Sequence, residues 1–175
     1  MQQAETLYDT VKSPLGPLLL MGDGDALTGL RMESAPPLGW SRDRAAFAEV
    51  AAQLDAYFAG DRTGFDVALA PRGTEFQRRV WAALLEIPYG ETRTYGELAA
   101  ALGKPNACRA VGAANGRNPI GVIIPCHRVI GSTGGLTGYG GGLDRKRALL
   151  ELEAGSVAAA VDRDAHRTGH AHGLS

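Results

Sequence analysis

Residues 125–130 read Pro-Cys-His-Arg-Val-Ile and hold the densest chemistry in the chain. Cysteine is the softest common nucleophile, but it reacts as the thiolate. A free thiol titrates near ~8.5, so only a few per cent is ionised at neutral pH. Cys126 therefore needs a base, and the base needs an orienting group. His127 adjoins it, but adjacent side chains of an extended segment point apart, so a bridging water is one way to couple the two. The orienting group should be a carboxylate. Glu153 qualifies because it sits at the C-terminal end of a predicted helix, where the helix dipole disfavours negative charge. A partner such as His127 or Arg128 would explain that placement. The alternatives are a structural Cys-His pair in a buried strand and an exposed glutamate at a helix end.

Two phenols, Tyr95 and Tyr139, could donate a hydrogen bond to a leaving group or stack on a base. Either could equally be a core residue with a polar tip. Asn118-Pro119 could fix the link between a helix and the cysteine segment, or simply form a turn. Cys108 has no adjoining base and reads as structural. His166, His170 and His172 could bind a metal weakly but read better as disordered polar residues. No CxxC or paired Cys/His set is present, so neither a structural zinc site nor any cofactor is expected.

The elements that must hold these groups follow from pattern. The apolar run 120–124 reads as a buried strand delivering Cys126 to the glycine-rich stretch 131–142. Upstream, Thr74-Glu75-Phe76-Gln77 is a capping box that opens a helix faced by Phe76, Val80, Leu84 and Ile87. A second box, Thr94-Tyr95-Gly96-Glu97, opens a short helix that packs through Leu98 and Leu102. Pro105 opens the next helix, whose inner face is Ala107, Ala110, Val111 and Ala114. Two short helices around a glycine turn form either a helix-turn-helix or an ordinary helical hairpin. The outer face of the second helix would carry Arg109, Gly112 and Ala113. The last two side chains are so small that the helix could approach another surface closely. Residues 7–32 read as a three-stranded antiparallel meander, and 33–41 as a loop. A helix over 42–59 is faced by Phe47, Val50, Leu54 and Phe58, and a linker runs from 60 to 73. A last helix covers 143–153, and residues from 155 on read as a frayed tail.

Composition bounds the rest. The 175 residues suffice for one full core or two small ones, and 45% hydrophobic with 21% charged content fits a globular protein. No apolar run reaches the ~18 residues of a membrane span, and the first residues have no signal-peptide pattern. Two cysteines without a secretion signal suit a reduced, cytoplasmic protein. The net charge of −1 conceals an asymmetry: residues 72–147 hold eleven Lys+Arg against five Asp+Glu, and the remainder seven against fourteen. A basic segment in an acidic protein suits a localised anionic partner such as nucleic acid, or else a solvated charged face.

The string Ile124-Pro125-Cys126-His127-Arg128-Val129-Ile130 resembles the active-site signature of the O6-alkylguanine-DNA alkyltransferases, also called methylated-DNA–protein-cysteine methyltransferases. Residues 94–99 resemble that family's first DNA-binding helix and residues 109–115 its recognition helix. Asn118-Pro119 resembles its asparagine hinge, and residues 138–143 its active-site loop. The resemblance implies an α+β fold in three parts. Residues 1–70 would form a small antiparallel sheet with a helix, ribonuclease-H-like. Residues 74–155 would form a mostly helical, winged-helix-like domain carrying the helix-turn-helix and the alkyl acceptor. Residues 156–175 would be a flexible tail.

It also implies roles. The protein would bind duplex DNA through the minor groove, with Gly112 and Ala113 allowing close approach and Arg109 filling the space of a flipped O6-alkylguanine. Arg117 and Arg128 would add contacts to DNA. Cys126 would take the alkyl group once, with His127 acting through water, Glu153 orienting it and Asn118 as the hinge. Tyr95 would assist the leaving guanine. Tyr139, with backbone groups of Cys126, Val129 and Gly140, would form the base pocket. O4-alkylthymine would be a second substrate. The protein would be a monomer, with cooperative assembly on DNA left open.

Gly140 stands where some members have serine, so only a backbone contact carries over. Three other readings compete: a damage-binding protein without transfer, against which Cys126 argues; a helix-turn-helix regulator, which leaves the Cys-His pair unexplained; and a Cys-His hydrolase, which needs no basic helix pair.

Overall fold

The computed structural model describes residues 6–33, 35–136, 139 and 142–156. Short apolar-rich segments separated by tight turns give β1 (Leu7–Val11), β2 (Leu18–Gly22) and β3 (Leu27–Arg31). β2 pairs antiparallel with both neighbours, Leu20 lying opposite Asp9 on one side and Leu30 on the other. Being central, β2 is buried throughout and reads as an unbroken apolar run. A fourth strand, β4 (Ser41–Arg42), takes the last residue of the expected loop and the first of the helix expected from 42, which begins only at Ala48, and pairs in parallel with β1. Two residues are too few to show alternation, so the sequence carried no signal for it. An Arg42 Nε to Asp9 Oδ1 hydrogen bond of 3.1 Å holds it.

The outer edge of β3 would be a template for stray pairing. It is occupied by two short parallel bridges, at Leu69 and at Ile120. The second, through Leu30 N to Pro119 O at 2.9 Å, ties the N-terminal sheet to the cysteine segment.

A 3-10 turn leads into α1 (Ala48–Phe58), whose buried residues are Val50, Gln53, Leu54 and Tyr57. The sequence pattern put Phe58 on this face. Phe58 is only half-buried, and Tyr57 takes the core position with no exposed surface. A tyrosine can be wholly buried when its hydroxyl finds a partner there.

Both capping boxes form. In α2 (Glu75–Leu85), Gln77 N donates to Thr74 Oγ1 at 3.1 Å and Thr74 N to Gln77 Oε1 at 2.9 Å. α3 (Tyr95–Ala101) repeats the arrangement with Thr94 and Glu97. Each cap stabilises its helix by about 1 kcal/mol. β5 (Arg93–Thr94) precedes α3. α4 (Cys108–Gly116) starts three residues later than expected, because Lys104–Ala107 first close a turn. Its buried face is Val111, Ala114 and Asn115, whereas Ala110, expected inside, is exposed. Trp81 of α2 donates to the Ala114 carbonyl at 2.8 Å and locks α4 in place.

The run 120–124 is buried as expected but is not a strand. It folds on itself through Ile123 N to Gly121 O at 2.7 Å, Ile124 N to Ile120 O at 3.1 Å and Cys126 N to Ile124 O at 2.8 Å. Val122 sits at φ 68°, a left-handed conformation that is strained for a β-branched residue. Length and apolarity alone cannot distinguish such a coil from a strand. Cys126–Arg128 form a 3-10 turn, and β6 (Val129–Ile130) then pairs in parallel with β5. A last helix, α5, covers 143–156 and turns Lys146, Leu149 and Glu153 inward. One apolar cluster extends from Leu18 of the sheet to Leu149 of α5.

Candidate active site

The 3-10 turn at Cys126 places His127 and Arg128 side by side against α5. There Glu153, 1% exposed, receives both. His127 Nε2 lies 2.8 Å from Glu153 Oε2. Arg128 donates from Nε to Oε1 at 2.8 Å and from Nη2 to Oε2 at 3.0 Å, and its Nη1 reaches the Ile87 carbonyl at 2.7 Å. Tyr57 Oη donates to Oε2 at 2.5 Å and Gly90 N to Oε1 at 3.3 Å. Five donors hold the carboxylate ionised, with its pKa down at about 2 against the cost of burial. A carboxylate only accepts, so the imidazole proton sits on Nε2 and the lone pair on Nδ1. His127 Nδ1 is buried and has no hydrogen-bond partner among the described residues. Burial lowers the histidine's pKa, the neutral base needed beside a thiol.

Burial raises the Cys126 thiol, and this outweighs three opposing influences: a hydrogen bond with Asn118, the charge of Lys146 and nearby backbone N–H groups. The resting group is therefore the neutral thiol, which needs a base to ionise. Asn118 also donates to the Ile124 carbonyl at 2.8 Å and accepts from Ile120 N at 3.0 Å, so it clamps the coil that carries the cysteine. Asn115 Nδ2 reaches the Cys126 carbonyl at 3.4 Å. Buried Lys146 donates to the Val129 carbonyl at 2.6 Å.

Cys126 opens onto a cavity of about 290 Å³. Asn115, Gly116 and Asn118 line it from the end of α4, Met32 from the end of β3, and Tyr139 and Arg145 from beyond the cysteine loop. This is near the lower size limit of small-ligand pockets. The Tyr139 hydroxyl is buried and, among the described residues, unpaired; burial pushes its pKa well above the ordinary phenol value. The cavity thus joins the exposed outer face of α4, which carries Arg109, Ala113 and Arg117, with half-buried Gly112 between them. Tyr95, at the start of α3, packs against Gly112.

The structure brings Cys126, His127, Glu153, Asn118 and Tyr139 together, and sets Tyr95, Arg109, Gly112, Ala113 and Arg117 on the adjacent helix pair. Two expectations change. Arg128, expected either to partner Glu153 or to contact DNA, does the first: it is 7% exposed, and its guanidinium is engaged by Glu153 and Ile87. Its side chain turns inward because a buried carboxylate needs a buried cation. Val129, expected to read the base through its backbone, does not line the cavity: its N–H donates to the Cys126 carbonyl and its carbonyl accepts from Lys146. Gly140 and the tail histidines lie outside the described residues. Sequence reasoning missed Tyr57 and Lys146. The signal for Lys146 was its spacing of three and seven from Leu149 and Glu153, which puts a lysine on an inward helix face. Cys108 is exposed and, like Cys126, free.

Comparison with known proteins agrees with this geometry. The family described as 6-O-methylguanine DNA methyltransferase, DNA binding domain, matches residues 75–155, and its ribonuclease-like domain matches residues 6–71. A Mycobacterium tuberculosis protein named methylated-DNA–protein-cysteine methyltransferase is 61% identical over 150 residues, covering 83% of this chain and 91% of its own. One of the same name from Mycobacterium leprae is 59% identical over 152 residues, covering 85% and 92%. A crystal structure of Mycobacterium tuberculosis OGT in complex with DNA superposes with a TM-score of 0.82 at 61% identity, covering 86% of this chain and 94% of that one. The chain belongs to the family of methylated-DNA–protein-cysteine methyltransferases. Among its described residues no helix is long and apolar enough to cross a membrane.

Proposed function

We propose that this protein repairs DNA by moving the alkyl group of O6-alkylguanine, and of O4-alkylthymine, onto Cys126 in a single stoichiometric event. The observation that carries the reading is a buried thiol at the floor of a cavity, backed by a His-carboxylate pair and opening beside a basic helix pair. Duplex DNA lies along α4 through its minor groove, Gly112 and Ala113 permit the approach, and Arg109 occupies the space of the extruded base. Arg117 adds a phosphate contact. The flipped base enters the cavity beside Tyr139, with backbone groups of Cys126 and Gly140 reading its edge.

The thiol proton passes through one water to His127 Nδ1, while Glu153 holds the ring by Nε2. The thiolate attacks the alkyl carbon in line. The S–C bond forms as the C–O6 bond breaks, and the purine anion takes a proton supplied through Tyr95. Lys146 and Asn118 stabilise the thiolate before attack. The thioether does not hydrolyse, so each molecule acts once. The protein works as a monomer in the reducing cytoplasm, where Cys126 stays free. Residues 6–71 serve as the scaffold and 75–155 as the reactive part.

The test is Cys126→Ala. It abolishes transfer yet keeps binding to duplex carrying O6-methylguanine. Loss of that binding in a folded variant would assign the thiol a structural role instead.

A further inference from the structure

Glu153 orients His127 only if something orients Glu153, and one of its five donors comes from the far side of the molecule. Tyr57 belongs to α1, in the N-terminal part, yet its hydroxyl reaches the carboxylate oxygen that also faces His127. We propose that Tyr57 is a positioning residue for alkyl transfer, fixing Glu153 Oε2 against His127 and restraining its basicity so that His127 stays neutral. The proposal rests on the transfer reading above.

The geometry leaves the phenol little freedom. Tyr57 has no exposed surface. Its ring is wedged among Phe58, Phe65 and Tyr89, with centroids 5.2, 5.3 and 6.0 Å away. The hydroxyl can therefore point at one acceptor. It remains a donor at every working pH, because burial and the facing carboxylate both oppose its ionisation. Oε2 accepts from three groups: Tyr57, Arg128 Nη2 and His127 Nε2. Each donor withdraws charge that the others would otherwise feel. The charged and titratable groups bearing on His127 are Glu153 and Lys146 of α5, Arg128 beside it and the Cys126 thiol; Tyr57 of α1 and Tyr89 of the α2–β5 loop close the far side of the carboxylate. Among these, Tyr57 alone comes from the N-terminal part, which gives that part a direct hold on the reacting groups.

The sign of the effect follows. Removing the phenol concentrates charge on Oε2 and strengthens its pull on the Nε2 proton. The imidazole then binds a second proton, at Nδ1, more readily. The acid limb of transfer, where protonated His127 can no longer accept the thiol proton, moves to higher pH.

The test is single-turnover methyl transfer from duplex O6-methylguanine, at saturating DNA, across the pH range. Tyr57→Phe keeps the ring and removes only the donor. It is expected to slow transfer at neutral pH about tenfold and to move the acid limb up by about half a unit. Site-specific 3-fluorotyrosine at position 57, a stronger donor with the same ring, is expected to move the limb the other way. Phe65→Leu loosens the ring packing without touching the hydrogen bond; it should lower the melting temperature and leave the limb where it is. If Tyr57→Phe and fluorotyrosine both keep the parent limb and rate, or if Phe65→Leu reproduces the Tyr57→Phe shift, Tyr57 is only a core residue. Failure of the transfer reading itself looks different: the parent protein then transfers no methyl group at any pH.

Discussion

Replacing Arg128 with methionine separates the two roles an arginine beside a catalytic cysteine can play. The side chain is 7% exposed and donates from Nε and Nη2 to Glu153 and from Nη1 to Ile87. It also lies 5.7 Å from the centre of the Tyr89 ring. Methionine fills much of the stem volume but leaves the carboxylate and a carbonyl short of donors. Breaking one partner from a buried ion pair costs about 3–5 kcal/mol. A protein of this size loses about 2–4 °C per kcal/mol, so the melting temperature should fall by about 10 °C. DNA affinity of the folded fraction should not change. The assay pairs a thermal melt with duplex titrations at several salt concentrations, because each phosphate contact contributes about 0.9 to the slope of log affinity against log salt. Arg117→Ala, exposed at the end of α4, is the converse: an unchanged melt and a slope reduced by about 1. An Arg128→Met protein that melts within about 2 °C of the parent and loses salt slope would refute the inward assignment.

Gly112→Ala asks whether α4 truly meets DNA closely. A β-carbon there would lie 3.8 Å from the Tyr95 ring, an ordinary contact, so the fold accepts it. Alanine should raise helix stability by about 1 kcal/mol, and duplex affinity should nonetheless drop; unchanged affinity would remove Gly112 from the interface. The buried pair also sets an acid limit on stability. His127 is depressed below 6.5 in the fold, so the unfolded chain binds the extra proton first and stability declines as pH falls below about 6.5. Glu153 is depressed from 4.5 to about 2, so its contribution is complete above 4.5 and disappears as pH falls toward 2. Denaturant titrations from pH 8 to 3 should therefore show loss in two stages, and Glu153→Gln should shrink the lower one, leaving the smaller share of carboxylates such as Asp23.

What the sequence made legible was whatever local chemistry dictates. Both capping boxes form at Thr74 and Thr94 because a hydroxyl three residues before a glutamine or glutamate needs no tertiary help. The meander followed from short apolar segments bounded by turns, and Glu153 from the mismatch between its charge and the helix end. The rest depended on distant partners. The coil at 120–124 is apolar enough for a strand, yet it bonds to itself and to β3. β4 exists because Arg42 meets Asp9 across 33 residues. Tyr57 was overlooked because Phe58 is the better hydrophobe, and only a carboxylate 96 residues away makes burial of the phenol favourable. Arg128 was open to two readings, a partner for Glu153 or a contact to DNA, and only the buried carboxylate decides for the first.

On the proposed reading Cys126 accepts one alkyl group and does not release it. Intact-protein mass spectrometry after mixing with excess duplex containing one O6-methylguanine tests it directly. A single gain of about 14 Da, located on Cys126, with a second dose of DNA adding nothing, is the expected result. No gain in mass, a gain located on exposed Cys108, or continued turnover of substrate by an unmodified protein would contradict it.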